Sequence, residues 1–202
     1  LKSQVEIKDK KMIDEILNSV EYGTLALCSD NKPYSVPVNF VYNENIIYFH
    51  GAKKGKTKDY IKENNLASLS VVEPYSVIQS YFSSESGLAC PATYFYKSVS
   101  CDGKIEFVLD YEEKVKALQL LMQKLQPEGK YLPLDNEVYQ KHINVTEVFK
   151  LNIDELKGKL KLGQHLPKER FDMIIEYLNN RGYEIDKKTI EQMQANKVEE
   201  NI

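Results

Sequence analysis

Tyr22-Gly23-Thr24-Leu25-Ala26-Leu27-Cys28, Ser29-Asp30-Asn31-Lys32-Pro33, the run from Tyr34 to Tyr42, Asn43-Glu44-Asn45 and Ile46-Ile47-Tyr48-Phe49-His50 follow one another without a gap. Three β-rich runs are here separated by stretches of turn residues only. Parallel neighbours need a crossover of a dozen or more residues, so strands joined this tightly are antiparallel hairpins.

Outward from this stretch, Met12, Ile13, Ile16, Leu17 and Val20 recur at helical spacing and predict a helix over 9–19. On the other side, a Gly- and Lys-rich loop after His50 leads into a short helix near 57–64 and a strand from Leu66 to about Val77. Residues 80–91 are rich in Ser and Gly and predict a loop. Ala92 to Leu109 is β-like throughout, with Asp102-Gly103 read as a bulge in one long strand and not as a hairpin turn. Val115, Leu118, Leu121, Met122 and Leu125 mark a helix over 111–126, ended by Pro127 and Gly129. A strand over about 145–153, the segment Gly158 to Gln164, and a helix carrying Phe171, Ile174, Ile175 and Leu178 complete the pattern. The polar end from Asp186 is expected to fray. With no repeat and no dividing linker, the expectation is a mainly β (α+β) protein. It would be a six-stranded antiparallel split β-barrel with flanking helices, since closure removes exposed sheet edges. Residues 1–202 would form a single domain, the barrel over about 20–165 and a C-terminal helical segment over about 167–202.

The 202 residues are 42% apolar and 28% charged, which is ordinary for a globular chain with a real core. A net charge of −3 argues against general nucleic-acid binding. The cations are nearly all lysine; Arg170 and Arg181 are the two arginines, which weakens any site built on guanidinium forks. Cys28, Cys90 and Cys101 are odd in number and form no CxxC pair, so reduced thiols, with Cys28 and Cys101 packed inside and Cys90 near the surface, are expected. No apolar run reaches the span of a membrane helix, and Leu1 to Lys11 lacks a signal-peptide core, although the start at Leu1 leaves room for a leader removed upstream. A cytoplasmic protein that engages neither membrane nor nucleic acid is expected.

The densest chemistry lies in His50-Gly51-Ala52-Lys53-Lys54-Gly55-Lys56-Thr57-Lys58, with two glycines and four lysines in nine residues. A phosphomonoester is best met by backbone N–H groups at a glycine turn, a helix N-terminus and ammonium groups, all on offer here. The bland alternative is a solvated lysine-rich turn. The stretch is not a Walker A loop: Gly51 and Gly55 are separated by three residues where that loop has four. Within Tyr34-Ser35-Val36-Pro37-Val38-Asn39-Phe40, Pro37 removes a ladder donor and belongs at a sheet edge or an irregularity. Irregular backbone beside an apolar wall suits a flat heteroaromatic ring, although an edge strand with a tolerated proline reads the same way.

Together these residues resemble the FMN-binding split-barrel superfamily of pyridoxamine 5'-phosphate oxidase, and within it the nitroimidazole-resistance (Nim-type) branch. The resemblance rests on Pro33-Tyr34-Ser35-Val36-Pro37-Val38-Asn39-Phe40, Ile47-Tyr48-Phe49-His50-Gly51-Ala52, Gly55-Lys56, Tyr94-Phe95-Tyr96-Lys97-Ser98-Val99 and Gly158-Lys159-Leu160-Lys161-Leu162-Gly163-Gln164, and spans about residues 12–175. It implies a homodimer with FMN at the subunit interface. Pro37, Val38, Asn39 and Phe40 would line the isoalloxazine, and Phe49, His50, Gly51 and Ala52 the ribityl and phosphate. Gly55, Lys56 and Lys58 would complete the phosphate site, with Ser98 and Gln164 contributing near the partner chain. Authentic pyridoxamine phosphate oxidases carry an arginine-containing C-terminal segment for the substrate phosphate; Leu160 to Pro167 contains none.

A flavin brings its own redox chemistry, so no catalytic triad is needed. His50, His142 and His165 are not spaced as metal ligands, and no metal is expected. His50 ends a strand at the cofactor and is the candidate proton donor, its alternative being a histidine tied to backbone. The expected activity is reduction of small electrophiles such as nitro-aromatics with NADH or NADPH as donor. A B6-vitamer oxidase and a non-catalytic FMN-binding module are the alternatives.

Overall fold

The computed structural model describes residues 3–82 and 84–198. The element order opens with β1 (Glu6–Ile7), α1 (Lys10–Ser19), β2 (Tyr22–Ser29), β3 (Lys32–Asn39), β4 (Val41–Asn43) and β5 (Ile46–Gly51). It continues with α2 (Lys56–Glu63), β6 (Leu66–Ile78), β7 (Thr93–Phe107), α3 (Tyr111–Leu125) and α4 (Gln140–Val145). β8 (Glu147–Lys161), α5 (Lys168–Arg181) and α6 (Glu184–Ala195) end the chain. The strands form one eight-stranded sheet in the order β3-β2-β6-β7-β8-β5-β4, with β1 pairing β8. Eight strands replace the expected six because β4 is split from β3 at Phe40, and the N-terminal residues add β1. The sheet path is not closed by ladders among the described residues, and six α-helices accompany it.

Two-residue turns set the register of the hairpins. Asp30 and Asn31 have φ of 49° and 57°, and Glu44 and Asn45 have 50° and 68°, so both turns use the left-handed pair that matches strand twist. Ser29 faces Lys32, and counting back from this pair puts Pro33 and Pro37 at positions that give no hydrogen bond to β2. The missing proline N–H groups therefore fall on the outer edge of β3, where they cost nothing. In β2 the residues alternate between exposed and buried, with Gly23, Leu25, Leu27 and Ser29 inward. Cys28 consequently lies on the exposed face, contrary to the expectation that it is packed inside. Cys101 is buried and Cys90 exposed.

The Cα positions group into two compact units: Asp9–Val71 with Val99–Lys157, and the N-terminal stretch to Lys8 with Val72–Ser98 and the chain from Gly158. The first unit packs Ile16, Leu17, Leu25, Phe40, Ile47 and Phe49 at 2% exposure or less. Here β7 runs unbroken through Asp102-Gly103, and a Cβ on Gly103 would sit 1.9 Å from the Asn152 carbonyl oxygen, so glycine serves a close backbone approach. In the second unit Tyr75, Ile78, Phe95, Leu162, Phe171 and Leu178 form the core. Residues 184–195 form α6 with Asp186, Thr189 and Met193 buried, so the expected fraying does not occur there. α6 is held by apolar and polar contacts together: Met193 and Ile190 pack on this core, Ser76 Oγ donates to Asp186 at 2.5 Å, and Arg181 Nε donates to the same carboxylate at 2.9 Å.

Candidate functional site

β5 and β8 pair Phe49 with Phe149, His50 with Val148, and Gly51 with Glu147, so the chain leaves the sheet at Gly51 directly opposite the first residue of β8. The loop then passes Lys53 and Lys54 to Gly55, whose φ of 140° and ψ of 168° lie in a region open essentially to glycine alone. α2 starts at once, and no side chain caps its first N–H groups. Those orphan donors, at the positive end of the helix, face outward with Gly55 leaving them uncovered. Tyr34 of β3 fixes the start of α2: its hydroxyl lies 3.2 Å from that of Thr57, its ring 5.2 Å from that of Tyr60, and the Lys56 ammonium 4.4 Å above it.

A crevice of about 240 Å³ opens between this loop and β3. Val36, Pro37 and Val38 form one wall, the segment from His50 to Thr57 the other, and Phe49 and Phe149 lie at its base. The two phenylalanine rings stack at 5.0 Å and 17° and are each 1% exposed, giving the crevice a packed apolar base. Because Pro33 and Pro37 mark the unladdered side of β3, the backbone oxygens of Ser35, Pro37 and Asn39 and the N–H groups of Ser35 and Asn39 point along its free edge. The arrangement thus joins an anion-seeking corner to an apolar slot with a row of backbone donors and acceptors.

Three ammonium groups converge behind the loop. Lys58 donates to the carboxylate of Glu147, both side chains less than a fifth exposed. Lys114, from the first turns of α3, donates to the carbonyl of the neighbouring Thr146 at 3.0 Å. Burial lowers the pKa of Lys114, and the charges of Lys53 and Lys58 lower it further. On the same turn, Glu113 accepts from Lys150 at 3.1 Å and from the Tyr48 hydroxyl at 3.0 Å. Burial, followed by that carboxylate, pushes the Tyr48 phenol up to about 12. The corner is therefore positive on balance: Lys53, Lys54, Lys56 and Lys58 outnumber Asp59 in the first turn of α2 and Glu147, which Lys58 already engages.

Of the residues anticipated from sequence, Pro37, Val38, Phe49, His50, Gly51, Ala52, Gly55, Lys56 and Lys58 line this one crevice. Asn39 and Phe40 do not. Asn39 is exposed and its Nδ2 donates to the Glu21 carbonyl at 3.4 Å, while Phe40 is buried with the Lys124 ammonium 3.9 Å from its ring centre. Ser98 and Gln164 belong to the other compact unit. Gln164 is 3% exposed; its Nε2 donates to the Leu160 and Gln4 carbonyls and its Oε1 accepts from Leu162 N. Val36, Lys54, Thr57 and Phe149 also line the crevice; the first three fall within the two stretches singled out from sequence but were given no contact of their own. Val36 shares a strand face with Val38, and Thr57 sits in the first turn of a helix with no cap, so both were within reach of the sequence. Phe149 is brought in by the β5–β8 ladder alone. Among the described residues no group of three His, Cys, Asp or Glu side chains is placed to hold a metal ion. Nor is any helix long and apolar enough to cross a membrane.

Residues 9–160 match the family model described as Pyridoxamine 5'-phosphate oxidase. A search of curated proteins gave no match. Among solved structures, the chain is similar to a candidate 5-nitroimidazole antibiotic resistance protein of Bacteroides thetaiotaomicron, with 24% identity, a TM-score of 0.63, and coverage of 77% of this chain and 86% of that one. It is also similar to the flavocytochrome Anf3 of Azotobacter vinelandii, at 21% identity and a TM-score of 0.66 over 78% of this chain and 70% of that one. The FAD and heme binding protein of Mycobacterium smegmatis is matched at 20% identity and a TM-score of 0.64, over 77% of this chain and 73% of that one. At these identities the likeness is one of fold.

Proposed function

Since the chain belongs to the pyridoxamine 5'-phosphate oxidase-like family, we propose that it is a split-barrel flavoprotein that holds FMN at the start of α2 and reduces small electrophiles such as nitro-aromatics. One observation carries the reading: the uncapped N-terminus of α2, opened by Gly55 and flanked by Lys54, Lys56 and Lys58, lines the same crevice as an apolar floor and an edge strand. The residues present fit the group. A phosphate dianion would take the α2 N–H groups and the Thr57 hydroxyl, with Lys54, Lys56 and Lys58 supplying charge. The isoalloxazine would lie on the side of Val36, Pro37 and Val38, its polar edge meeting the free backbone groups of β3.

A bound flavin supplies hydride and single-electron chemistry. The chain's part is to seat it, shield one face and move a proton. His50, exposed at the rim of the crevice, is the group assigned to protonate the reduced substrate, imidazole being suited to proton transfer near neutral pH. NADH or NADPH would deliver the electrons, and the protein would work in the cytoplasm. A homodimer is favoured by the exposed face of β2 and β3, where Thr24, Ala26, Cys28, Ser35 and Pro37 present no charge. A second copy could cover such a face without desolvating an ion. Ser98 and Gln164 would then act toward the partner's flavin.

Pyridoxamine phosphate oxidation is the weaker reading. The segment 160–167 has no arginine, and Arg181 is committed to Asp186. The visible spectrum of purified protein titrated with FMN, and in parallel with FAD, tests the cofactor; no flavin bound at saturation would sink the proposal. Oxidation of NADH or NADPH by the loaded protein with a nitro-aromatic acceptor tests the activity. Full occupancy without turnover would point to a non-catalytic flavin module, and pyridoxal phosphate formed from pyridoxamine phosphate to the oxidase.

A further inference from the structure

β3 carries Tyr34, Val36 and Val38 on one face, since alternate residues of a strand point the same way, and these three are half-buried between exposed neighbours. Val36 and Val38 line the crevice beside α2, and Tyr34 does not. Tyr34 leans instead on the opening turn of that helix. Its ring centre lies 5.2 Å from that of Tyr60 and 4.4 Å from the Lys56 ammonium, which is 5.3 Å from the Tyr60 ring. Lys56 and Tyr60 are one helical turn apart, so a single ring from β3 meets both.

Packing accounts for the ring but not for the hydroxyl, which lies 3.2 Å from Thr57 Oγ1. Thr57, unlike Tyr34, lines the crevice. A threonine hydroxyl has one proton and two lone pairs, so its bond to Tyr34 can run in either sense. With Thr57 donating to Tyr34, only lone pairs would face an anion in the crevice, and these repel it. With Tyr34 donating, the Thr57 proton is free for the anion. A phenol is a stronger acid than an aliphatic alcohol and so the better donor of the two. An anion favours the same sense, because each bond in such a chain polarises the next.

We infer that Tyr34 is a positioning residue for the anion corner: its hydroxyl donates to Thr57 Oγ1 and thereby directs the Thr57 proton to the flavin phosphate. The inference rests on the flavin reading and deepens it, since a side chain outside the crevice then helps to select phosphorylated flavin over riboflavin.

Fluorescence titrations of the full chain with FMN and with riboflavin test this through Tyr34→Phe, Thr57→Val and the double variant. Tyr34→Phe keeps the ring against Lys56 and Tyr60 and removes the hydroxyl alone. It should weaken FMN about five-fold, and Thr57→Val about ten-fold, with riboflavin unmoved in both. The double variant should bind FMN within about two-fold of Thr57→Val, because Tyr34 acts only through the Thr57 hydroxyl. Thr57→Ser keeps a hydroxyl and should preserve the response to Tyr34→Phe. Losses that multiply in the double variant, equal losses for riboflavin and FMN, or an unchanged FMN affinity in Tyr34→Phe would overturn the inference and leave the flavin site standing. A parent protein that binds no FMN at saturation would overturn the flavin reading, and the inference with it.

Discussion

Lys58 in the first turn of α2 donates to Glu147, the residue that opens β8, and the two side chains are 18% and 17% exposed. A lysine of the anion corner is thus already half-neutralised inside the protein, and any incoming phosphate must share it with a carboxylate. Removing Glu147 and removing Lys58 should have opposite consequences. Glu147→Gln deletes a buried negative charge beside the phosphate and should tighten FMN several-fold. Lys58→Met leaves Glu147 unpaired and facing the dianion, and should weaken FMN by at least about ten-fold. Riboflavin has no phosphate and is the control, since neither change should move its affinity much. Fluorescence titrations of both flavins check this; parallel losses for FMN and riboflavin would remove Lys58 from the phosphate site.

Gly55 isolates backbone strain from packing. A Cβ at this position would meet nothing within 4 Å, yet φ is +140°. Gly55→Ala should therefore cost about 1–3 kcal/mol by strain alone, or relax by rebuilding the loop. Either course moves the first N–H groups of α2, so FMN affinity should fall along with thermal stability. A variant as stable as the parent and equal in FMN binding would show that neither the φ value nor the exposed helix end matters.

Arg181 and Asp186 make a two-nitrogen polar tie in the unit formed around α5 and α6. Arg181 reaches the carboxylate through two nitrogens and also donates to the Val77 carbonyl at 3.0 Å and to Gln79 at 2.8 Å. Burial acts to raise the Asp186 carboxyl, but hydrogen bonds from Arg181, Ser76 and the Tyr183 N–H outweigh it and hold the group below the ordinary carboxylate value. A depressed folded pKa means stability that is present above the unfolded value of 3.8 and lost as pH falls through the folded one. Asp186→Ala should cost about 3–5 kcal/mol, because it strands a guanidinium that is 12% exposed. Asp186→Asn should flatten the acid limb of the stability curve. Urea melts at neutral and acid pH measure both, and an unchanged acid limb in Asp186→Asn would count against the linkage.

The same pair shows why part of the fold is invisible in the sequence. α6 buries Asp186, Thr189 and Met193, with Ile190 partly buried beside them, so half of its inward face is polar and its hydrophobic period is weak. The helix also depends on Arg181, at the end of the preceding helix, and on Ser76, which lies far upstream in the chain. By contrast α1, α3 and α5 keep an apolar stripe, and α1 and α3 could be placed to within a residue or two. The hairpins of β2 to β5 were legible because Asp30-Asn31 and Glu44-Asn45 are turn residues tolerant of positive φ. Cys28 was misplaced by leaning on the general burial of cysteine, although alternation after Leu25 and Leu27 already turned it outward. In the crevice, the residues contiguous in sequence were legible. Phe149, a hundred residues downstream of Phe49, is brought there by strand pairing that no local pattern encodes.

Lys124 offers a test in alkali. Its ammonium donates to the Leu17 carbonyl near the end of α1 at 3.0 Å and lies 3.9 Å from the Phe40 ring centre, and neither partner carries a charge. Burial lowers its pKa from 10.5 to about 8. Between these values the unfolded chain holds more protons than the native one, so this group makes stability rise with pH across the interval; below about pH 8 both states are protonated and the slope vanishes. Cys101 opposes the trend, since burial raises its thiol from 9.0 to about 12 and costs stability above pH 9. The difference between parent and Lys124→Met cancels that term. Measured by denaturant melts, the parent should gain on the variant from about pH 8 to 10, and curves that stay parallel over that range would mean Lys124 keeps an ordinary proton affinity against the face of Phe40.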